Sequence, residues 1–260
     1  CMTYTAAFAQ TVKPFKEGER AVFLGNSITD GGHYHSYIWL YYMTRFPDMP
    51  IRVFNGGIGG DTAYDMNKRL DGDIFVMKPS VLMVTFGMND SGYFEYNGDK
   101  PKEFGEQKYQ ESIKNYQQME KRFKDLPDTR IVMVGTSPYD ETVQLKENTP
   151  FKTKNETIKR LVEYQKESAA KNNWEFTDLN APMTAINQQY QQKDPTFTLC
   201  GSDRIHPDND GHMVMAYLFL KAQGFVGKEV ADMEINANKK QAVKSENRFK
   251  YKEERKRFEF

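Results

Sequence analysis

Asp203 and His206 stand three residues apart in Gly201-Ser202-Asp203-Arg204-Ile205-His206-Pro207-Asp208, just before a helix-like run. That spacing lets a carboxylate hydrogen-bond the imidazole, fix its tautomer and leave the other ring nitrogen free as a base. The hydroxyl it could serve is Ser27, in Phe23-Leu24-Gly25-Asn26-Ser27-Ile28-Thr29-Asp30. A serine attacking an acyl carbon also needs donors for the developing oxyanion. Gly60 offers a backbone N–H unobstructed by a side chain, Asn89 a side-chain amide, and Ser27 its own N–H. Each residue also has an ordinary alternative. Ser27 could cap a helix, His206 could be structural, and Gly60 and Asn89-Asp90 could simply turn the chain.

For these groups to meet, the elements carrying them must converge. Ala21-Val22-Phe23-Leu24 is an apolar run that predicts a buried strand ending at Ser27. Residues 51–55 predict a second strand, followed by the loop Gly56-Gly57-Ile58-Gly59-Gly60-Asp61-Thr62. Residues 80–86 are almost wholly apolar, as in a parallel strand buried on both faces, and run into Gly87-Met88-Asn89-Asp90. Residues 130–135 and 174–179 predict two further strands. Helical periodicity marks 33–46, 62–70, 105–125, 153–172 and about 208–224. Strands alternating with helices predict an α/β fold on a parallel sheet, and in such sheets ligands bind at the strands' carboxyl ends. Every candidate above falls at such an end.

Composition removes several classes of function. The 260 residues suit one α/β domain with an appendage: an N-terminal segment 1–19, a domain 20–225, and a polar extension 226–260. The extension alternates polar and aromatic residues at 248–252 and 257–260, as a half-buried strand would. The 36 basic and 36 acidic residues cancel, so no overall field favours nucleic acid or an anionic membrane. No apolar run is long enough to span a bilayer. Cys1 and Cys200 form neither a disulfide framework nor a zinc spacing. No Walker lysine, G-x-G-x-x-G or G-x-S-x-G is present, so no cofactor and no metal is expected. Ala7-Phe8-Ala9 fits a signal-peptidase pattern and Cys1 a lipid-bearing first residue, and both point to an exported, periplasmic or extracellular protein.

Taken together, the four blocks resemble the SGNH hydrolases, the GDSL-type esterases and lipases. Gly25-Asn26-Ser27-Ile28 resembles the family's first block. The second, which supplies the oxyanion glycine, looks like residues 55–62 with Gly60. Gly87-Met88-Asn89-Asp90 matches the third and Asp203-Arg204-Ile205-His206 the last. The resemblance covers about residues 20–225 and implies a three-layer α/β/α flavodoxin-like sandwich with a five-stranded parallel sheet. It implies Ser27 as nucleophile, His206 as base with Asp203 as its partner, and an oxyanion hole of Ser27, Gly60 and Asn89. The chain departs from the family at Asn26, where the usual residue is aspartate. The extension after Gly224 is also outside the pattern.

The loops after the third and fourth strands carry Tyr93, Phe94 and Tyr139, aromatic groups that suit a sugar ring or an aryl ester. The expected partner is therefore a small-molecule or glycan ester, with a short acyl group such as acetyl removed from a carbohydrate. A lysophospholipase or lipase is the alternative within the same chemistry. A catalytically silent carbohydrate-binding domain and a metal-assisted hydrolase using Asp30, Asp61, Asp90 and His206 are the alternatives outside it.

Overall fold

A computed structural model describes residues 11–146 and 148–227, together with four short strands of the extension. The chain divides into two compact units, the first ending at Gly224 and the second beginning at Phe225.

The first unit runs β1 (Arg20–Gly25), α1 (Ser27–Asp30), α2 (His33–Arg45), β2 (Arg52–Gly57), α3 (Ala63–Arg69), β3 (Val81–Val84), α4 (Pro101–Lys124), β4 (Arg130–Gly135), α5 (Lys154–Lys171), β5 (Glu175–Asp178), α6 (Asn180–Gln191) and α7 (Asn209–Ala222). Its five strands are all parallel, in the order β2-β1-β3-β4-β5. This is the flavodoxin-like order, whose switch point falls beside β1. Successive side chains of a strand face opposite ways. Val22 and Leu24 accordingly join Met66, Tyr116, Met119 and Phe123 in a core under α3 and α4. Phe23 points to the other face, 5.6 Å from the Tyr34 ring of α2 and 6.1 Å from the Phe219 ring of α7. Being covered on both sides is what makes β1, β3 and β4 read as apolar runs, whereas the edge strands β2 and β5 are only partly buried and carry polar residues.

In residues 11–19, Val12 and Phe15 are buried, and the Phe15 ring lies 5.0 Å from that of Tyr42. Three features differ from the sequence expectation. Helix α4 begins earlier than expected, with Pro101 in its first turn, where a missing N–H costs nothing. Helix α6 went unread because two of its buried positions are polar. Asn187 holds the N–H of Leu199, and Asn180 donates to Asn155. Strand β2 runs two residues into the glycine loop, because Gly56 and Gly57 lie flat against their neighbours. A Cβ on Gly57 would come 2.2 Å from the Asp30 backbone nitrogen. Gly57→Ala must therefore push α1 off β2, an overpacking worth about 1–3 kcal/mol. Urea unfolding should show that loss, and ester turnover should fall with it because α1 begins at Ser27.

In the second unit, β6 (Glu234–Asn236) pairs antiparallel with β7 (Gln241–Lys244), and β8 (Lys250–Lys252) with β9 (Arg257–Glu259). Arg248, Phe249 and Phe260 of the expected alternation, and the export pattern at residues 1–9, lie outside the described residues.

Candidate active site

Ser27 is delivered by a turn at the end of β1 in which nearly every atom is specified. A Cβ on Gly25 would sit 2.1 Å from Thr29 Oγ1, so only glycine fits there. The helix cap that Ser27 could have supplied is supplied by Asn26: its Oδ1 accepts the Ile28 N–H at 3.1 Å. An aspartate would accept the same bond, so the departure from the family pattern keeps the turn. The cost is a buried Asn26 Nδ2 without a hydrogen-bond partner among the described residues. With capping assigned to its neighbour, the Ser27 hydroxyl turns outward, and its Oγ lies 2.7 Å from His206 Nε2.

His206 Nδ1 is in turn 2.5 Å from Asp203 Oδ2, while Asp203 Oδ1 accepts the N–H groups of Ile205 and His206 at 2.9 Å each. A proton on Nδ1 satisfies the carboxylate and leaves Nε2 to accept from Ser27. The hydrogen bond to Asp203 raises the His206 pKa above its usual value, against the opposing effect of burial. For Asp203, burial pushes upward, but the bonds from the His206 ring and from backbone N–H groups win and hold it low.

The third and second blocks are locked together. Asn89 Nδ2 donates to Asp61 O at 2.9 Å, and Asn89 Oδ1 accepts from Tyr93 Oη at 2.5 Å. One amide hydrogen of Asn89 remains for another acceptor. Beneath it, buried Asp90 accepts from the N–H groups of Ala63 and Gly87, each at 2.9 Å, and from Ser112 Oγ at 3.0 Å. Gly60 sits at φ +84° in the turn closed by Asp61 N–H to Ile58 O, a conformation that favours glycine. Ser27, Gly60 and Asn89 thus follow β1, β2 and β3, three neighbouring strands, at one edge of the sheet.

Three buried or half-buried cations support these blocks, and none has a sequence signature. Arg69 donates to Asp61 Oδ2 at 2.6 Å and to the carbonyls of Gly56 at 2.7 Å and Gly25 at 3.2 Å, tying the ends of β1 and β2. Arg204, inside the Asp203–His206 turn at φ +70°, donates to the carbonyls of Asp140, Val143 and Asn148. It thereby fastens the Asp203–His206 turn to the loop after β4. Lys154, at the start of α5, reaches under the Asn89 turn. Spacing alone could not reveal them, because their partners are mostly backbone carbonyls from distant segments.

The aromatic expectations divide. Tyr93 is at the site but holds Asn89. Phe94 is 79 % exposed and rests its ring edge-on against Phe151. Tyr139 differs from the exposed aromatic expected: it is 1 % exposed, stacks on Phe151 and accepts the Phe151 N–H, so it braces the loop. For a metal-assisted route, Asp61 and Asp90 are already engaged by Arg69 and by backbone donors. His35 contacts Thr29 O, and His212 stacks on His33 with its pKa pushed down to about 4, chiefly by burial.

The sequence of the GDSL-like lipase/acylhydrolase family matches residues 23–214, a stretch that holds all four blocks. The chain belongs to this family. It is a carboxylic ester hydrolase by that membership. An acetylxylan esterase of Geobacillus stearothermophilus is 27 % identical over 224 residues, covering 80 % of this chain and 95 % of that protein. The solved structure of that esterase, Axe2, superimposes with a TM-score of 0.63 at 25 % identity, over 81 % of this chain and 96 % of its own. A structure described as BT4096, a gut microbial diltiazem-metabolizing enzyme, is 84 % identical with a TM-score of 0.88 over 93 % of this chain. The chain spans about half the length of that protein, 54 %. Among the described residues of this family member, no helix is long and apolar enough to cross a membrane.

Proposed function

We propose that this GDSL-family chain is a serine esterase that removes short acyl groups, acetate above all, from a carbohydrate or similar small ester through a covalent acyl-enzyme. The observation that carries this is the run of short contacts from Asp203 through His206 to Ser27. Ser27 Oγ attacks the acyl carbon while its proton passes to His206 Nε2, and a tetrahedral oxyanion forms. The N–H groups of Ser27 and Gly60 and the free amide hydrogen of Asn89 serve as its donors. Collapse expels the alcohol, which leaves with the proton from His206. Water then gives its proton to the same nitrogen and attacks the acyl-serine, and the acid departs as Ser27 recovers its hydrogen.

The acyl group is inferred from the relatives. The acetylxylan esterase names an acetate ester as its substrate, and the diltiazem-metabolizing relative acts on a compound unlike a glycan, which suits a site that holds a short acyl end and tolerates different alcohol halves. Exposed Phe94 and Ile58, on the loops that carry Tyr93 and Gly60, offer an apolar rim for a sugar or aryl ring. The test is a panel of acetylated xylo-oligosaccharides, diltiazem, p-nitrophenyl acetate and long-chain p-nitrophenyl esters. Acetate esters should be hydrolysed with the highest kcat/KM. A preference for long acyl chains would overturn the substrate assignment, and no hydrolysis of any ester would overturn the activity.

The pH dependence follows from the Asp203–His206 bond. His206 accepts a proton only when neutral, and its pKa is raised by Asp203. Activity is therefore low under acid conditions and rises through a midpoint above the ordinary histidine value of about 6.5. In Asp203→Asn that midpoint should move to lower pH, with kcat reduced by about 10²–10⁴-fold as the tautomer is lost. A pH–kcat/KM profile of both proteins checks the direction.

A further inference from the structure

We infer that Lys154 is a positioning residue for ester hydrolysis: its ammonium group holds the Met88–Gly92 turn and the Tyr93 ring so that Asn89 presents its amide to the oxyanion. The inference rests on the proposed role of Asn89 and extends it to a residue on another element.

Lys154 is fully buried, which is rare for a lysine and is tolerated only with all its donors satisfied. Its Nζ donates to Met88 O, Ser91 Oγ and Gly92 O, each at 2.6 Å. Three donors meet three acceptors, and all three acceptors lie in the few residues around Asn89. The same nitrogen stands 3.9 Å from the centre of the Tyr93 ring, a cation–π distance. Tyr93 Oη is the group that donates to Asn89 Oδ1 at 2.5 Å. Lys154 therefore grips the Asn89 amide from two directions, through the backbone on either side of it and through the ring that fixes its oxygen. A hydrogen bond to Oδ1 also draws electron density from the amide and strengthens the remaining N–H as a donor.

The surroundings do not explain this lysine as half of a salt bridge. Burial lowers its pKa to about 7, with Asp90 and Glu141 pulling the other way. Asp90 directs its oxygens at Ala63, Gly87 and Ser112, and Glu141 accepts from the backbone of Thr153 and Asn155. The other titratable groups facing it are the phenols of Tyr93 and Tyr139. A methionine would fill the same space if space were all that mattered.

Steady-state kinetics on p-nitrophenyl acetate test this with Lys154→Met, Lys154→Arg and Tyr93→Phe beside Ser27→Ala. Lys154→Met should lower kcat at least tenfold with KM changed less than threefold, and Lys154→Arg should recover part of the loss. Tyr93→Phe removes only one oxygen and should lower kcat by about tenfold, so the inference stays testable if Lys154→Met fails to fold. Loss of kcat in Tyr93→Phe should be smaller, or absent, in the Lys154→Met background, since both act through Asn89. Wild-type kcat in a folded Lys154→Met protein, or in Tyr93→Phe, would overturn the inference. So would a loss confined to KM. Activity persisting in Ser27→Ala would instead overturn the esterase mechanism itself, so the two failures are distinct.

Discussion

Ser27→Ala should lower kcat for an acetate ester by about 10⁴-fold or more, leaving the unfolding midpoint almost unchanged. The magnitude follows from removing the nucleophile of a unit whose members act together, so that losing the serine costs about as much as losing the whole set. The stability side follows from local geometry. Ser27 Oγ makes its bond to a half-exposed imidazole, and the α1 cap belongs to Asn26, so no buried partner is stranded. His206→Ala should match it within about tenfold, and the double variant should add little. Urea melts with initial rates on p-nitrophenyl acetate read both quantities. A fall in activity that merely tracked unfolding would leave the serine as a structural residue only.

Asn89→Ala carries the second large effect. Loss of one oxyanion donor typically reduces kcat by about 10²–10³-fold with little change in KM, because the bond strengthens only as charge develops on the oxygen. Here the truncation also frees Tyr93 Oη and the Asp61 carbonyl. Asp61 is buried and both bonds are part-buried, so stranding these groups adds a structural cost of about 1–3 kcal/mol, which a urea melt of the variant reads separately from kcat. Asn89→Asp separates shape from donor capacity: it keeps the side-chain outline but replaces donors with a negative charge facing the oxyanion. Its kcat should fall at least as far as that of the alanine variant. Equal activity in both variants and the parent would remove Asn89 from the mechanism.

How much of this was legible in the sequence depends on what constrained each residue. Ser27, Asp203 and His206 could be picked out because few residue types suit acyl transfer, and the structure brings the three within hydrogen-bond distance. Ser27, Gly60 and Asn89 could be placed because they follow strands, whereas Asp203 and His206 come after α6. The central strands β1, β3 and β4 were legible because burial on both faces leaves little choice but apolar side chains, and the half-buried edge strands β2 and β5 left a shorter, more polar pattern. Asn26 could be seen as a departure, but its consequence was not visible: the retained cap, and an Nδ2 without a partner among the described residues, are properties of the turn. Arg69, Lys154 and Arg204 escaped because a cation satisfied by carbonyls from remote segments leaves no periodicity. The burial of Tyr139 was not legible for a related reason, since an aromatic in a loop at the sheet's edge can brace that loop from inside as readily as stand exposed. Helix α6 was missed where asparagines occupy the positions a hydrophobic stripe would mark.

The most direct measurement is covalent trapping. The intact protein is treated with a fluorophosphonate, digested, and its adduct located by mass spectrometry, with Ser27→Ala and His206→Ala treated in parallel. A single adduct on Ser27, formed in step with loss of esterase activity, absent from Ser27→Ala and strongly slowed in His206→Ala, is the predicted result. A protein that hydrolyses acetate esters while Ser27 stays unlabelled, or whose inactivation tracks an adduct on another residue, would contradict the account.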